Sequence, residues 1–205
     1  MQMKVLMTGF DPFGGESVNP AYEAVKALPG EIEGAQIIKR EVPTVYGKAA
    51  RILKQEMEKI HPDIVICVGQ AGGRAGISIE KVAINYRDAR IQDNEGNQPQ
   101  DCPILAEGTD AYFATLPVKK IVAELQKAGI PAQISYSAGT FVCNDIFYSL
   151  MHMAANEYPG IKAGFIHVPF IPLQVVDKAN GTASMALDMI VEALEVAIRV
   201  SLGVK

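Results

Sequence analysis

Asp63-Ile-Val-Ile-Cys-Val68 is apolar at every position after the first. A run this short, with no polar alternation, is typical of a strand that is covered on both faces. Along the rest of the chain, apolar strand-like runs alternate with segments of helical length. This order favours an α/β domain of stacked layers over an all-α or all-β fold. It also predicts that Cys67 lies in the core.

Local signals set the expected boundaries of these elements. Asn19-Pro20 predicts a helix start, because asparagine is a good N-cap and proline suits the first helical position. Gly129 predicts a helix end before Pro131. The predicted strands are 4–8, 36–42, 63–68, 77–86, 133–136 and 162–168, and the predicted helices are 20–28, 46–60, 117–128, 142–158 and 182–202.

Length and composition indicate one globular domain. The chain has 205 residues, of which 49% are hydrophobic and 20% charged, which suffices for one core and is too little for two ordinary domains. We therefore expect a single domain over residues 1–205. The last predicted helix is apolar around most of its surface, so it either lies deep in its own core or packs against another subunit.

Charge and cysteine content limit the expected partners. The formal net charge is −4, which disfavours nucleic acid. No run approaches the roughly 20 apolar residues of a membrane span, and no export signal is seen. The three cysteines form no Cys-x-x-Cys pair, which argues against a metal site and a disulfide framework. We expect a soluble cytosolic protein.

A glycine-rich turn follows the strand at residues 63–68. The segment Gly69-Gln-Ala-Gly-Gly-Arg-Ala-Gly76 fits neither the dinucleotide-binding spacing nor the P-loop. A tight turn at the carboxyl end of a strand is where open α/β sheets place ligands. A plain connection of small residues is an equal alternative.

Three side chains on separate predicted elements have the chemistry of a nucleophile, a base and an orienting carboxylate. Cys143 falls in the first turn of a helix, where the helix dipole and unpaired N–H groups favour a thiolate. His167 ends an apolar strand, and Glu80 lies in a strand where a buried carboxylate would need a partner such as an imidazolium. The alternatives are a small buried residue, a structural histidine and a solvent-facing edge-strand glutamate.

Two loops are further candidates. The loop after the first strand carries Phe10 and Phe13, which either enter the core or line a pocket. Residues 87–109 show no clear periodicity and are rich in Asp, Asn, Gln, Gly and Pro. Loops of this length are usually functional or mobile, so this segment is a candidate lid.

Four separated motifs resemble the pyroglutamyl peptidase I family, also called pyrrolidone carboxyl peptidases. They are Phe10-Asp-Pro-Phe-Gly-Gly15 with Asn19-Pro20, Gly69-Gln-Ala-Gly-Gly73, Ser137-Ala-Gly-Thr-Phe-Val-Cys-Asn144 and Phe165-Ile-His-Val-Pro169. They occur in the family's order and the match spans residues 1 to about 197. The resemblance implies a three-layer α/β/α sandwich around a twisted mixed sheet. It also implies a cytosolic cysteine exopeptidase, often tetrameric, that removes an N-terminal pyroglutamyl residue without a metal or cofactor.

The resemblance also implies roles for individual residues. It maps the nucleophile onto Cys143, the base onto His167 and the orienting carboxylate onto Glu80. Phe141 stands where many members have tyrosine, which keeps the aromatic face and loses the hydroxyl. A neutral lactam needs aromatic faces and amides rather than a carboxylate in its pocket. The resemblance maps the lactam-binding positions onto Phe10, Phe13, Asn19, Gln70 and Phe141, and an active-site arginine onto Arg90.

Two other functions remain open from the residues. A phosphorylase-like enzyme would use the turn at residues 69–76 for phosphate, would depend on phosphate and would survive thiol alkylation. A non-catalytic small-molecule binding or redox-sensing protein would bind the lactam or oxidise Cys143 without turnover.

Overall fold

The computed structural model describes residues 2–204, in which strands and helices alternate along the chain. The strands are β1 (Lys4–Phe10), β2 (Glu31–Ile32), β3 (Ala35–Val42), β4 (Ile64–Gln70), β5 (Ile77–Glu80), β6 (Val82–Ile84), β7 (Ala111–Phe113), β8 (Ala132–Ser135) and β9 (Lys162–Val168). The helices are α1 (Pro20–Ala27), α2 (Lys48–Ile60), α3 (Val118–Lys127), α4 (Val142–Asn156), α5 (Pro172–Val175) and α6 (Leu187–Leu202).

Seven strands form one central sheet in the order β2-β3-β1-β4-β9-β5-β8. The pairs β3–β1, β1–β4, β4–β9 and β5–β8 are parallel, whereas β2–β3 and β9–β5 are antiparallel. All seven residues of β4 are buried, because this strand has a neighbour on each side and helices over both faces. Each fully buried aliphatic side chain contributes about 1.5–3 kcal/mol relative to an exposed one, so β4 is a main source of core stability.

Helices cover both faces of this mixed sheet. On one face α6 contacts both α1 and α3, and on the other α2 contacts α4. This confirms the predicted three-layer α/β/α sandwich. Cys67 is fully buried within it, as predicted. Within residues 2–204, no helix combines the length and the apolar character that crossing a bilayer would require.

Capping explains why two helices begin or end where predicted. The Asn19 side chain accepts a 3.1 Å hydrogen bond from Ala21 N, and Pro20 opens α1. Gly129, at φ +77°, lies in the left-handed region just past α3, where a residue without Cβ is favoured. The helix α6 packs on α1 and α3 and buries Ile190, Leu194 and Ile198 completely. Its apolar surface therefore lies mainly in its own core.

Two predicted elements differ from the structure. The strand predicted over 77–86 is broken at Lys81, where β5 ends in the central sheet and β6 begins to pair with β7 in a separate two-stranded sheet. Lys81 N donates to Ser135 O, while Lys81 O accepts from Ala114 N, so the chain changes partners at this residue. The helix predicted from 182 begins at Leu187, because Met185 N bonds to Phe170 O instead.

The predicted lid, residues 87–109, is tied to the body by hydrogen bonds. Within the segment, Arg87 and Cys102 exchange two backbone bonds of 2.8 and 3.1 Å, and further bonds join it to the rest of the chain. The buried Asp93 carboxylate accepts from Tyr46 N at 3.0 Å, and Asn94 Nδ2 donates to Pro12 O at 2.9 Å. Residues 87–109, called the strap below, are therefore an ordered segment that is hydrogen-bonded to the rest of the chain.

Candidate active site

The strands β4, β9 and β5 lie side by side and bring Glu80 and His167 together. The register pairs His167 with Gly69 of β4 on one side and with Ser78 of β5 on the other. Glu80 lies two residues after Ser78 and therefore projects from the same face of the sheet. His167 Nδ1 donates a 2.7 Å hydrogen bond to Oε1 of the fully buried Glu80.

Cys143 is the second residue of α4 and faces the same part of the sheet. A methyl group added at Gly69 would lie 2.8 Å from Cys143 Sγ and 2.7 Å from Phe165 Cζ. The Phe165 ring lies 4.8 Å, centroid to centroid, from the imidazole of His167. The half-buried thiol and the imidazole therefore border the same small space above Gly69. The structure brings together the three residues that the sequence singled out.

Burial and charge set the protonation of this group. Burial alone would raise the pKa of Glu80, but hydrogen bonds from His167 and Arg74 hold that pKa below its usual value. Burial lowers the pKa of His167, although the Glu80 carboxylate opposes that shift. Glu80 is therefore ionised and His167 neutral at pH 7.

The thiol does not behave as the sequence suggested. Burial raises the pKa of Cys143 to about 12, and the nearby Glu80 charge acts in the same direction. Arg74 and the backbone N–H of Cys143 oppose the shift without cancelling it. The expectation of a resting thiolate is therefore wrong: the helix N-terminus is outweighed, and the thiol keeps its proton until a base accepts it.

Aromatic rings lie next to the nucleophile candidate. Phe141 directly precedes α4, and its ring lies 6.1 Å from that of Phe13, with 36° between the ring planes. The Tyr46 ring meets Phe141 edge-on at 5.5 Å. Phe13 and Phe141 are half-buried, whereas Phe10 is 2% exposed and lies in the core. Of the predicted aromatic residues, Phe13 and Phe141 thus form an apolar wall, and Phe10 supports the loop from below.

The predicted polar residues are placed less directly. Asn19 is buried, caps α1 through Oδ1 and donates from Nδ2 to Asp11 O at 2.9 Å. Gln70 follows Gly69 on the strand and so faces the opposite side of the sheet, where its Oε1 accepts from Gln174 Nε2 at 2.8 Å. Arg90 is exposed, and its guanidinium makes no hydrogen bond within residues 2–204. These three are therefore not in hydrogen-bond contact with the Cys143 group.

Two polar residues at the site were missed by sequence reasoning. Arg74 lies in the glycine-rich turn and donates from Nη1 to Glu80 Oε1 at 2.8 Å. The sequence feature that could have identified Arg74 is a single charged residue in a turn of small residues. Gln174 donates to Gln70, and also to Val18 O at 3.2 Å, so it joins α5 to the loop that carries Phe13. Its place beside that loop depends on the return of the chain after β9, which the sequence did not indicate.

Within residues 2–204, no three His, Cys, Asp or Glu side chains are grouped to hold a metal ion. The chemistry available to this site is that of a thiol, an imidazole and a carboxylate beside an apolar wall.

Gly69→Ala should lower the kcat of a reaction that uses the Cys143 thiol by about 10²-fold, because displacing a reacting group by even ~1 Å has an effect of that size. The new methyl group would contact both Cys143 Sγ and Phe165 well inside ordinary contact distance. The measurement is steady-state kinetics together with a thermal melt. Gly30→Ala is the matched control, because no atom lies within 4 Å of its added methyl group. Wild-type kcat in folded Gly69→Ala would contradict the placement of the thiol.

Comparison with known proteins gives one consistent family. A family model described as pyroglutamyl peptidase matches residues 3–203. A pyrrolidone-carboxylate peptidase from Clostridium perfringens is 56% identical over 197 residues, covering 96% of this chain and 92% of that protein. A protein of the same name from Streptococcus pyogenes is 57% identical over 196 residues, covering 96% and 91%.

Solved structures agree with the sequence matches. The crystal structure of pyroglutamyl peptidase I from Bacillus amyloliquefaciens matches with a TM-score of 0.95 at 52% identity, covering 98% of this chain and 95% of that one. A mutant pyrrolidone carboxyl peptidase from the hyperthermophile Pyrococcus furiosus matches with a TM-score of 0.95 at 49% identity, covering 98% and 99%.

Proposed function

Because the chain belongs to the pyroglutamyl peptidase family of cysteine-type peptidases, we propose that it hydrolyses the amide bond after an N-terminal pyroglutamyl residue through Cys143, His167 and Glu80. Membership of the family supports removal of N-terminal pyroglutamate. The observation that carries the assignment of residues is the 2.7 Å bond from His167 to buried Glu80, beside Gly69, whose added methyl group would meet the thiol of Cys143. The whole chain, residues 1–205, then acts as one catalytic domain.

In the proposed reaction, Nε2 of neutral His167 accepts the proton of Cys143 as Sγ attacks the pyroglutamyl carbonyl carbon. The oxyanion is held by backbone N–H groups at the start of α4, with Arg90 moving in as the second contact. The imidazolium then gives its proton to the leaving amine, and the C–N bond breaks to leave a thioester. Water, deprotonated by His167, hydrolyses the thioester and restores the thiol.

Substrate selection follows from the pocket chemistry. Phe13 and Phe141 would hold the flat lactam between apolar faces, with Phe10 beneath the loop. Asn19 and Gln70, which bond to Asp11 and Gln174 in the structure, would have to turn toward the lactam to supply polar contacts to it. A pyroglutamyl group carries no ammonium, so no free carboxylate is needed at its ring. Amide groups built for the lactam carbonyl would reject proline, because they would be left unsatisfied.

The test is release of a chromogenic amine from pyroglutamyl and prolyl derivatives, without added phosphate. We expect turnover of the first and about 10⁴-fold lower kcat/KM for the second. Iodoacetamide, used on a Cys102→Ala background, should abolish the activity. A phosphate requirement or resistance to alkylation would favour a phosphorylase, and binding without turnover would favour a non-catalytic protein.

The proposal includes a cytosolic tetramer, as the family resemblance implies. Exposed apolar side chains such as Leu173, Val176 and Phe113, each more than two thirds exposed, are available to an interface. Light scattering of the purified chain would test the assembly, and a monomer would contradict this part alone.

A further inference from the structure

A single guanidinium joins three parts of the candidate site. Arg74 lies in the turn after β4 with its side chain 30% exposed. Besides Glu80 Oε1, it reaches Ser135 Oγ at 3.4 Å from Nη1 and Ser137 O at 3.1 Å from Nη2. Ser137 begins the loop that leads to α4 and Cys143. Arg74 therefore connects the glycine-rich turn, the carboxylate and the approach to the nucleophile.

Both hydrogen bonds to the carboxylate use the same oxygen. Glu80 Oε1 accepts from Arg74 at 2.8 Å and from His167 Nδ1 at 2.7 Å, while Oε2 has no partner among residues 2–204. A buried carboxylate with one unsatisfied oxygen is held in orientation only by the donors on the other. Without Arg74, the single bond from His167 would have to hold the carboxylate in place, and the ion would lose its permanent positive partner.

We propose that Arg74 is a positioning residue for the reaction: it fixes which oxygen of Glu80 faces His167 and supplies a fixed positive charge that opposes protonation of the imidazole. The inference rests on the proposed function. The charged and titratable groups that surround the imidazole are Glu80 from β5, Cys143 from α4 and Arg74 from the turn. Of these, the positive charge of Arg74 lowers the pKa of both His167 and Cys143.

The experiment is a pH profile of kcat/KM, with the pyroglutamyl amide as substrate, for wild type, Arg74→Met and Arg74→Lys. In Arg74→Met we expect a fall in kcat of about 10-fold and a shift of the acid limb to higher pH by about one unit, the size expected of one partly screened charge nearby. Arg74→Lys should keep the wild-type acid limb, because it keeps the charge, while kcat falls because the forked hydrogen bonds are lost.

A structural role alone would lower activity without moving the acid limb. An unmoved limb in folded Arg74→Met, or the same shift in Arg74→Lys, would overturn the proposal. Arg74→Gln replaces Arg74→Met if the latter shows no thermal transition, because glutamine can still donate to Ser137. Exposed Arg51→Met is the matched control for charge removal, and it should leave the profile unchanged. If wild type released no amine, the proposed function itself would fail, which is a different outcome.

Discussion

Cys143→Ala should lower kcat for the pyroglutamyl amide by about 10⁴–10⁶-fold, the range found when a nucleophile or a partner that acts with it is removed. In the proposed reaction Sγ attacks the acyl carbon and carries the acyl group as a thioester, and no other side chain can replace the sulfur in that step. Alanine removes one half-buried sulfur from the first turn of α4, and the fold should survive. The measurement is amine release at high enzyme concentration, together with a thermal melt.

The other two thiols provide the controls. Cys102→Ala should keep wild-type kcat, because Cys102 lies in the strap and pairs only with the backbone of Arg87. Cys67 is fully buried in β4, out of reach of a reagent in solution, and burial raises the pKa of its thiol to about 12. Folded Cys143→Ala that retains most of the activity would show that the nucleophile is wrongly assigned.

Alkylation alone would be a weaker test than substitution. The resting Cys143 thiol is protonated by the argument from burial, so its reaction with iodoacetamide depends on transfer of its proton to His167. Cys102, which is partly exposed, competes for the reagent. Substitution separates the two thiols, and the Cys102→Ala background makes the alkylation result interpretable.

The layered fold could be predicted from the sequence, because the pattern of hydrophobic residues along an element reflects which of its faces are buried. The continuous apolar run at 63–68 became the central strand β4, and Asn19-Pro20 became the start of α1. The break at Lys81 could not be predicted, because β5 and β6 are both strand-like in sequence and differ in which strands they pair with. Such a change of partner depends on long-range geometry that periodicity does not contain.

The sequence predicted which residues form the site better than it predicted their protonation states. Cys143, His167 and Glu80 come together as predicted, since each ends or begins an element near one part of the sheet. The protonation of the thiol depends on depth, because burial and a neighbouring carboxylate act against the helix N-terminus. The structure places Arg74 on Glu80, a contact that the sequence did not indicate. Which arginine reaches a buried carboxylate depends on the path of a turn.

Glu80→Gln should lower kcat by about 10³-fold, because the amide is neutral and a neighbouring opposite charge changes the pKa of its partner by up to about 3. Arg74 and His167 Nδ1 both donate to Oε1 of Glu80, so the oxygen of the new amide would take that place and the imidazole would keep its proton on Nδ1. Nε2 could still accept the proton of the thiol, but the imidazolium so formed would lack the negative charge that stabilises it. Amine release is the measurement, and Glu124→Gln, in a surface pair with Lys127, is the matched control.

The pH dependence of Glu80→Gln separates this explanation from a general loss of structure. The pKa of Glu80 is lowered in the folded state, so its ionised form stabilises the fold above pH ~4.5 and that contribution is lost as the pH falls through the folded-state pKa. In urea unfolding, the free energy of unfolding of the variant should therefore fall less than that of wild type as the pH is lowered through this range. Its residual activity should have an acid limb at lower pH than wild type, because the negative charge that favours imidazolium is gone. Arg74→Met should shift the same limb upward, so parallel shifts in the two variants would exclude His167 as the group that titrates.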